Sequence, residues 1–410
     1  MMNRLLRLNI LFLLLLLGGS FMLEAYAPVS GGGIEREPVV VSPKDVYSPN
    51  DFGLALLRQL GDDRICVSPY SVSAGMAMAY GGAGGETKSE IEKVFGFEGE
   101  DIHSYFQVME SRLESENQAS KIVLANAMWG DINQKFDDTY VNKIGMYYGA
   151  EPSLLKFKKT GKAIKSINKW LSKQTEGEIS GMIKKGGLSK TTRLVLTNAV
   201  YFKGSWEKPF SEDETKEGSF VVSEGAGVPT TVTVPFMHQT GKFPFYMDDD
   251  VALLELPYEG GEQSMVILMP KEVGTLGEYE ASLKWEDIKG LMKKSAKAFL
   301  HIEVPKFDMG QGMDMAEVLG KMGVNQAFSS HDADFSGMTG KAELYIDRMM
   351  HQANISVDEK GTVASAATSV ELAPKGIVQK FKVDQAFLFF ILDKESDSIL
   401  FLGRETNPSL

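Results

Sequence analysis

The apolar positions change their spacing along the chain, from helical steps in the first part to alternating runs in the second half. Between Phe52 and Leu60 they recur at three- and four-residue steps, which predicts an amphipathic helix that Asn50 caps and Gly61 ends. A helix rich in small residues after Pro69 is expected to pack deep in the protein. Further helices are predicted at 101–116, around 164–170 and at 313–322.

Strands are predicted where apolar residues alternate or run together between turn residues. These runs lie at 64–68, 123–129, 194–203, 218–222, 251–257, 264–269, 300–306, 387–392 and 399–403. Helices therefore cluster early and strands late. This order is typical of an α+β fold in which large antiparallel sheets are covered by helices on one side.

The N-terminus has the pattern of a secretory signal. Two arginines precede an apolar run at 10–17, and Ala25 and Ala27 place small residues at the spacing that a signal peptidase recognises. We therefore predict a signal peptide over residues 1–27, with the product secreted, extracellular or periplasmic. Pro28 is a poor residue directly after a cleavage site, so an uncleaved membrane anchor remains as the alternative.

A linker and one large domain are predicted to follow the signal. Residues 28–49 contain three consecutive glycines and four prolines without apolar periodicity, which is typical of a flexible linker. The folded domain is then expected to span residues 50–410. No integral membrane domain is predicted within it.

Composition excludes several classes of protein. With 43% hydrophobic and 24% charged residues, the chain of 410 residues is an ordinary globular protein. Its formal charge of -12 argues against nucleic-acid binding, which normally requires a net basic surface. The single cysteine, Cys66, excludes an internal disulfide, and its apolar neighbours predict a buried and inert thiol.

The sequence lacks the motifs of catalysis. It has no nucleophile elbow, phosphate-binding loop or dinucleotide fingerprint in the right context, so we expect no enzyme and no cofactor. No two histidines have the spacing of zinc ligands on one helix or strand, so no metal site is expected. The five histidines are His103, His238, His301, His331 and His351.

Four polar residues stand in apolar surroundings. They are Ser68 and Ser71 at a helix start, Asn198 in the middle of a strand, and His351. Buried polar groups need hydrogen-bond partners, and for the serines helix capping is the default interpretation. Together with the family resemblance given below, they are interpreted as one hydrogen-bonded cluster.

The segment 359–376 is an alternating run without an assigned sheet. Gly361 supplies a pivot, because a residue without Cβ adopts backbone angles closed to other residues. If the segment is extended, one face is small and then apolar. That face carries Thr362, Ala364, Ala366, Thr368, Val370 and Leu372. Two interpretations follow: an ordinary strand and turn, or a loop that inserts conditionally and carries Lys375 as protease bait.

Several motifs of residues 50–410 resemble those of the serpin family, in family order. They are Ser68-Pro69-Tyr70-Ser71, Asn198-Ala199-Val200-Tyr201-Phe202-Lys203-Gly204-Ser205-Trp206, Asp334-Phe335-Ser336-Gly337-Met338, His351-Gln352-Ala353, Glu359-Lys360-Gly361-Thr362-Val363-Ala364, Phe387-Leu388-Phe389-Phe390-Ile391 and Phe401-Leu402-Gly403-Arg404. One departure is Gln385-Ala386, where the family usually has a proline. The resemblance implies an α+β serpin fold, with large mixed sheets, helices and a mobile reactive loop at 359–382.

The resemblance also implies roles for residues. The hinge of the loop would comprise Glu359, Gly361, Thr362, Ala364, Ala366, Ala367 and Thr368. Ser68, Ser71, Asn198 and His351 would form a hydrogen-bond cluster, called the shutter, under the opening of the main sheet. Lys203, Gly204 and Trp206 would line the breach, the point where the loop enters the sheet.

The implied function is irreversible inhibition of a trypsin-like serine protease by a monomer, through a covalent acyl complex. The reactive bond is placed between Lys375 and Gly376, because Lys375 lies at spacings from Glu359 and Phe387 that are similar to those of inhibitory serpins. Two alternatives remain. One is cleavage near Leu372 by an elastase-like or subtilisin-like protease, and the other is a non-inhibitory carrier or chaperone.

Overall fold

The computed structural model describes residues 47–61, 63–113, 120–150, 152–222, 229–361 and 378–410, and two short strands at 23–24 and 40–41. The helices are α1 (Asn50–Gln59), α2 (Pro69–Tyr80), α3 (Gly85–Phe95), α4 (Asp101–Leu113), α5 (Asp138–Tyr148), α6 (Thr160–Gln174), α7 (Leu276–Ser282), α8 (Trp285–Lys294), α9 (Ala316–Met322) and α10 (Ser336–Thr339). The strands are β1 (Leu23–Glu24), β2 (Val40–Val41), β3 (Ile65–Val67), β4 (Ser120–Asp131), β5 (Ser153–Leu155), β6 (Leu194–Gly204), β7 (Lys216–Val222), β8 (Thr230–Met247), β9 (Val251–Pro257), β10 (Gln263–Pro270), β11 (Ala296–Pro305), β12 (Phe307–Asp314), β13 (Arg348–Val357), β14 (Gln379–Lys382), β15 (Phe387–Asp393) and β16 (Ser398–Glu405).

The main sheet has five strands in the order β12-β13-β6-β4-β5. The pairs β12–β13 and β6–β4 are antiparallel, whereas β13–β6 and β4–β5 are parallel. The sequence pattern predicted antiparallel sheets, and this expectation was wrong for two of the four pairings. Strand direction depends on how the connections run, which residue alternation does not encode.

The main sheet is covered on both faces, whereas the sequence predicted cover on one. Val200 and Phe202 of β6 join the large core beneath the sheet, on the side of α2. Val195 and Ala199 pack instead against Ile167 of α6 on the other side. Because neighbouring strand residues point to opposite faces, a strand that is apolar at nearly every position needs cover on both.

The second sheet has nine strands, in the order β14-β11-β8-β9-β10-β15-β16-β3 with β7 paired to β8. The long strand β8 pairs with β7, β11 and β9 in turn along its length. The edge strand β14 runs parallel to β11. Outside both sheets, β1 pairs antiparallel with β2.

Most predicted elements are confirmed, with corrections at their ends. The helix predicted at 313–322 begins only at Ala316, because β12 continues through Asp314. Asn50 does not cap α1: its side-chain amide accepts from the Ile399 N–H at 2.7 Å and donates to the Asp397 carbonyl at 2.7 Å. Gly61 follows the end of α1 with a φ of 78°, as a helix-ending glycine does.

The sequence pattern did not predict α3, α5, α7, α8, α10, β1, β2, β5, β8, β12, β13 or β14. Pro235, Gly241 and Pro244 interrupt the apolar pattern of β8. The predicted deep helix α2 is confirmed, since all of its residues are buried, and Cys66 is buried as expected. Burial raises the pKa of the Cys66 thiol, which keeps it protonated and unreactive. Among the described residues, no helix is both long and apolar enough to cross a membrane.

Candidate functional site

The parallel pairing between β6 and β13 forms a seam through the middle of the main sheet. Residues 348–354 of β13 pair with residues 195–201 of β6. Beyond this paired part, β13 runs on to Val357 and β6 to Gly204. The chain then reaches 359–361, the described first residues of the predicted reactive segment. The seam therefore leads directly to the base of that segment.

A polar cluster lies at the seam, under β6. It consists of Ser68, Ser71, Asn198 and His351, all buried, and the half-buried Asn126 of β4. Ser68 caps α2, because its Oγ accepts from the Ser71 N–H at 3.0 Å. Ser71 Oγ donates to Asn126 Oδ1 at 3.2 Å, and Asn198 Nδ2 donates to the same oxygen. The four residues that the sequence singled out are thus brought together.

His351 joins the two strands of the seam. Its Nε2 accepts from the Ser68 N–H at 3.1 Å, so this nitrogen carries no proton. The proton is therefore on Nδ1, which lies 3.2 Å from Asn198 Oδ1 and donates to it. Because His351 belongs to β13 and Asn198 to β6, this hydrogen bond crosses the seam. The bond helps to hold the seam closed.

The cluster requires a neutral imidazole and a glycine beneath it. Burial lowers the pKa of His351 from its ordinary value of about 6.5 to about 3, so the ring is neutral at physiological pH. A Cβ on Gly75 of α2 would lie 2.7 Å from Asn198 Nδ2. Only glycine at this position lets α2 approach the amide of Asn198.

Glu359 fixes the start of the predicted reactive segment. Its Oε2 lies 2.7 Å from Lys306 Nζ, and its Oε1 accepts from Thr215 Oγ1 at 2.6 Å. Its carbonyl oxygen accepts from the Phe210 N–H at 2.8 Å. Partial burial alone raises the pKa of Glu359, but the hydrogen bonds from Lys306 and Thr215 outweigh it, so the net shift is downward.

Gly361 lies in a place that admits no side chain. It forms an antiparallel bridge with Ser205, directly after the end of β6. A Cβ at this position would lie 2.2 Å from the Gly204 carbonyl oxygen and 2.8 Å from Ser205 Cα. Its φ of 129° is also strained for any other residue. Both the lack of space and the backbone angle therefore require a glycine at the position that the sequence predicted as a pivot.

Trp206 binds the backbone just before Gly361 through two hydrogen bonds. Its backbone N–H donates to the Lys360 carbonyl at 3.1 Å, and its indole Nε1 donates to the Asp358 carbonyl at 2.9 Å. The indole stacks on Tyr258 with a centroid distance of 4.6 Å and an interplanar angle of 13°. Two stacked aromatic rings therefore lie beside the end of the seam.

The remaining predicted residues fall into two groups. Lys203 pairs in register with Lys121 of β4, and Gly204 ends β6, where a Cβ would lie 2.8 Å from the Phe202 ring. Thr362, Ala364, Ala366, Ala367, Thr368, Lys375 and Gly376 lie outside the described residues.

Sequence reasoning missed three partners of the site. Asn126 accepts two hydrogen bonds in the polar cluster, Lys306 pairs with Glu359, and Tyr258 supports Trp206. Asn126 carries a signal that could have found it, because it is a polar residue within the apolar run predicted as strand 123–129. Lys306 and Tyr258 carry no such signal, since they meet the site only through the fold.

Acid is expected to destabilise the protein through His351. Its pKa of about 3 in the folded protein lies below the unfolded value of about 6.5, so the unfolded chain binds more protons between these pH values. The contribution of His351 to the free energy of unfolding is therefore fully present above pH ~6.5. It falls by about 1.4 kcal/mol per pH unit as the pH drops towards 3. The test is to measure the urea concentration at the midpoint of unfolding at several pH values from neutral to pH ~5.

The contribution of His351 is separated by a His351→Gln variant. Burial also lowers the pKa of His103, to about 4, so part of the acid dependence comes from that residue in both proteins. The variant should have a lower midpoint at neutral pH and a shallower dependence on pH. Equal slopes for wild type and variant would contradict a buried neutral imidazole at position 351.

Comparisons with known proteins cover most of the chain. A family model described as serpin (serine protease inhibitor) matches residues 47–408. Leukocyte elastase inhibitor A of Mus musculus is 36% identical over 376 residues, covering 87% of this chain and 97% of that protein. An uncharacterized serpin-like protein of Thermococcus kodakarensis is 35% identical, covering 88% and 85%.

Solved structures show the same architecture. Human thyroxine-binding globulin, in complex with thyroxine, matches with a TM-score of 0.82 and 30% identity, covering 90% of this chain and 100% of that chain. Uncleaved ovalbumin matches with a TM-score of 0.81 and 25% identity, covering 88% and 100%.

Proposed function

Because the chain belongs to the serpins, the family of serine protease inhibitors, we propose that it irreversibly inhibits a trypsin-like serine protease. The observation that carries this proposal is the backbone bridge between Gly361 and Ser205. This bridge places the base of the reactive segment at the end of β6, in line with the seam. A segment that starts there can continue into the seam as a new strand.

The bridge also sets the register of such a strand. If the antiparallel pairing of Gly361 with Ser205 continues, every second loop residue lies opposite a β6 residue on the core side of the sheet. Thr362 would face Gly204, Ala364 Phe202, Ala366 Val200, Thr368 Asn198, Val370 Leu196 and Leu372 Leu194. The small and apolar face found in the sequence is therefore the face that this register buries.

Insertion would exchange one set of interactions for a larger one. The parallel pairing of 195–201 with 348–354 would be lost, together with the hydrogen bond between His351 and Asn198. Thr368 would arrive opposite Asn198, where its hydroxyl can replace the imidazole as a hydrogen-bond partner. The new strand would pair on both edges, which makes the uncleaved protein metastable with respect to the inserted form.

Inhibition would proceed from one covalent step. The serine oxygen of the protease attacks the carbonyl carbon of Lys375 and the bond to the nitrogen of Gly376 breaks. The hydroxyl proton passes through the protease histidine to that nitrogen, and an ester joins the inhibitor to the enzyme. The freed segment then inserts. Residues 362–375 would extend over roughly 46 Å at about 3.3 Å per residue, and would carry the protease to the far end of the sheet. Distortion of the enzyme there prevents hydrolysis of the ester.

Lys375 supports trypsin-like specificity, because a lysine fills the acidic specificity pocket of these proteases. Cleavage near Leu372 by an elastase-like enzyme is the second candidate, and it is supported by relatives named leukocyte elastase inhibitor. A carrier role remains an alternative. The small residues of the segment favour inhibition over that role, because bulky or charged residues would obstruct insertion.

The test is incubation of the protein with trypsin at neutral pH. We expect a complex that survives denaturing electrophoresis and a matching loss of protease activity. Limited cleavage within the segment by a protease that is not trapped should raise the temperature of unfolding, because the strand inserts. Cleavage without a complex, with full trypsin activity retained, would refute inhibition of this class of enzyme.

We also propose export of the mature chain. The basic and apolar N-terminal pattern supports a signal peptide over residues 1–27, followed by a linker at 28–49, the serpin domain at 50–410 and its loop at 359–382. Two of these bounds need correction: Tyr47 is already buried in the core of the domain, and residues 379–382 of the predicted loop form strand β14. N-terminal sequencing of the secreted protein would test it. Cleavage after Ala27 leaves Pro28 as the first residue. Any other first residue, or an unprocessed chain in the membrane fraction, would contradict it.

A further inference from the structure

Two histidines and a glutamate converge on the nine-stranded sheet, away from the seam. In the antiparallel pairing of β8 and β11, Glu303 lies opposite His238 and His301 lies opposite Thr240. His301 and Glu303 are two residues apart on β11, so their side chains share one face. Leu300 and Ile302 fill the opposite, buried face. The four polar side chains therefore form a compact square on the partly exposed face.

The donor atoms of the three side chains lie close enough together to share one metal ion. His238 Nδ1 lies 3.4 Å from His301 Nε2, and His301 Nε2 lies 3.8 Å from Glu303 Oε1. The donor atoms of all three residues lie within 4.8 Å of one another. Two nitrogens bound to zinc at about 2.0–2.1 Å with a tetrahedral angle are about 3.3–3.4 Å apart. The separation of the two histidine nitrogens therefore already equals that of two zinc ligands, and the Glu303 carboxylate lies within 4.8 Å of both nitrogens.

Thr240 orients one of the rings. Its Oγ1 lies 2.9 Å from His301 Nδ1 and accepts a hydrogen bond from that nitrogen when it carries the proton. In that tautomer Nε2 of His301 is unprotonated and can donate its lone pair to a metal. Metal-binding histidines are commonly oriented by such a bond from their second nitrogen.

We propose that His238, His301 and Glu303 form a site for Zn²⁺. Two imidazoles and one carboxylate suit zinc, whereas Mg²⁺ and Ca²⁺ prefer sets composed of oxygen ligands. The side chains of His301 and Glu303 are 26% and 21% exposed, so water can complete the coordination. Nearby Lys382 does not occupy the site, because its Nζ lies 4.4 Å from the Phe236 ring and donates to the Ser219 carbonyl at 3.2 Å.

The site joins β8 and β11, and β11 pairs with the strand that follows the reactive segment. β11 pairs with β8 on one edge and, in parallel, with β14 on the other, and β14 is the first strand after the segment. His301 lies in register with Lys380 of β14. An ion bound across β8 and β11 would clamp the sheet directly beside the strand that anchors the segment. Zinc is therefore expected to stabilise the uncleaved protein.

The sequence predicted no metal site because no two histidines have ligand spacing within one helix or strand. His238 and His301 are 63 residues apart and meet only through the antiparallel register of β8 and β11. Spacing rules find ligands on one helix, strand or loop. They do not find ligands that two strands bring together.

The test uses the purified full chain without an affinity tag that contains histidines. Isothermal titration with Zn²⁺ should give one saturable site, Mg²⁺ should not compete, and Co²⁺ should show the visible absorption of a tetrahedral nitrogen and oxygen site. Zn²⁺ should also raise the unfolding temperature. His238→Gln and His301→Gln should each weaken binding by at least about 100-fold, and Thr240→Val by about tenfold.

His331→Gln is the matched control, because it removes an exposed imidazole that lies elsewhere. This variant should bind zinc as the wild type does. All variants should unfold at the wild-type temperature in the presence of a chelator, which separates loss of ligands from loss of fold. The proposal is overturned if zinc binds without saturation, or if His238→Gln and His301→Gln leave its affinity unchanged.

Discussion

A Thr362→Arg variant is expected to lose inhibition and to become a substrate of the protease. In the insertion register proposed from the Gly361 bridge, position 362 would enter the seam first and would lie opposite Gly204, on the core side. That side is already full, since even a Cβ on Gly204 would lie 2.8 Å from the Phe202 ring and from Ser120 Oγ. A guanidinium would have to enter this space without a partner.

The expected size of the effect follows from the cost of burying a charge. The effective penalty is still several kcal/mol per ion, and each 1.4 kcal/mol slows insertion about tenfold relative to hydrolysis of the ester. The complex should therefore nearly disappear on denaturing gels while cleavage continues. The quantity to measure is the number of inhibitor molecules consumed per protease molecule inactivated.

Val363→Glu is the control for this variant. It also introduces one charge, but in the same proposed register position 363 would lie opposite the half-buried Lys203, on the other face. A carboxylate beside Lys203 is tolerated, so most of the complex should remain. If Thr362→Arg inhibits as well as the wild type does, the insertion register proposed here is wrong.

A Lys375→Ala variant is expected to lose inhibition of trypsin-like enzymes almost completely. Without the lysine, the acidic group of the specificity pocket stays buried and unpaired, and sites of this kind reject such a substrate by about 10⁴-fold. The association rate with trypsin should fall by about this factor. The fold should be unaffected, and the melting temperature measures that directly.

Lys380→Ala provides the comparison, because it removes a second lysine close by in sequence, on the exposed strand β14. Its rate of trypsin inhibition should equal that of the wild type. A Leu372→Gly variant separates the elastase alternative. If Lys375→Ala leaves inhibition of every protease unchanged while Leu372→Gly abolishes inhibition of elastase, cleavage takes place near Leu372.

The family and the fold class were predicted correctly from the sequence. The family model and the solved structures confirm the serpin assignment, and the α+β architecture with large mixed sheets follows the resemblance. Local patterns suffice for elements such as β9, whose predicted range 251–257 is reproduced. They fail for β8, because Pro235 and Gly241 break the alternation while pairing with neighbouring strands maintains the strand.

The sequence by itself determined which residues are exceptional. A polar residue within an apolar strand, such as Asn198, must have a partner, because an unpaired buried amide is costly. A glycine before an alternating run marks a pivot, because a residue without Cβ adopts backbone angles closed to other residues. These conclusions depend on residue chemistry and on short-range spacing, both of which the sequence contains in full.

The tertiary structure alone decided which residues meet. The hydrogen bond between His351 and Asn198 joins residues 153 positions apart. The ion pair between Lys306 and Glu359 joins residues 53 positions apart. His238 and His301 become neighbours only in the register of β8 and β11. Contacts of this kind depend on strand order and register, which the packing of the whole core selects. Because no short stretch of sequence carries that information, it appears only when the chain is folded.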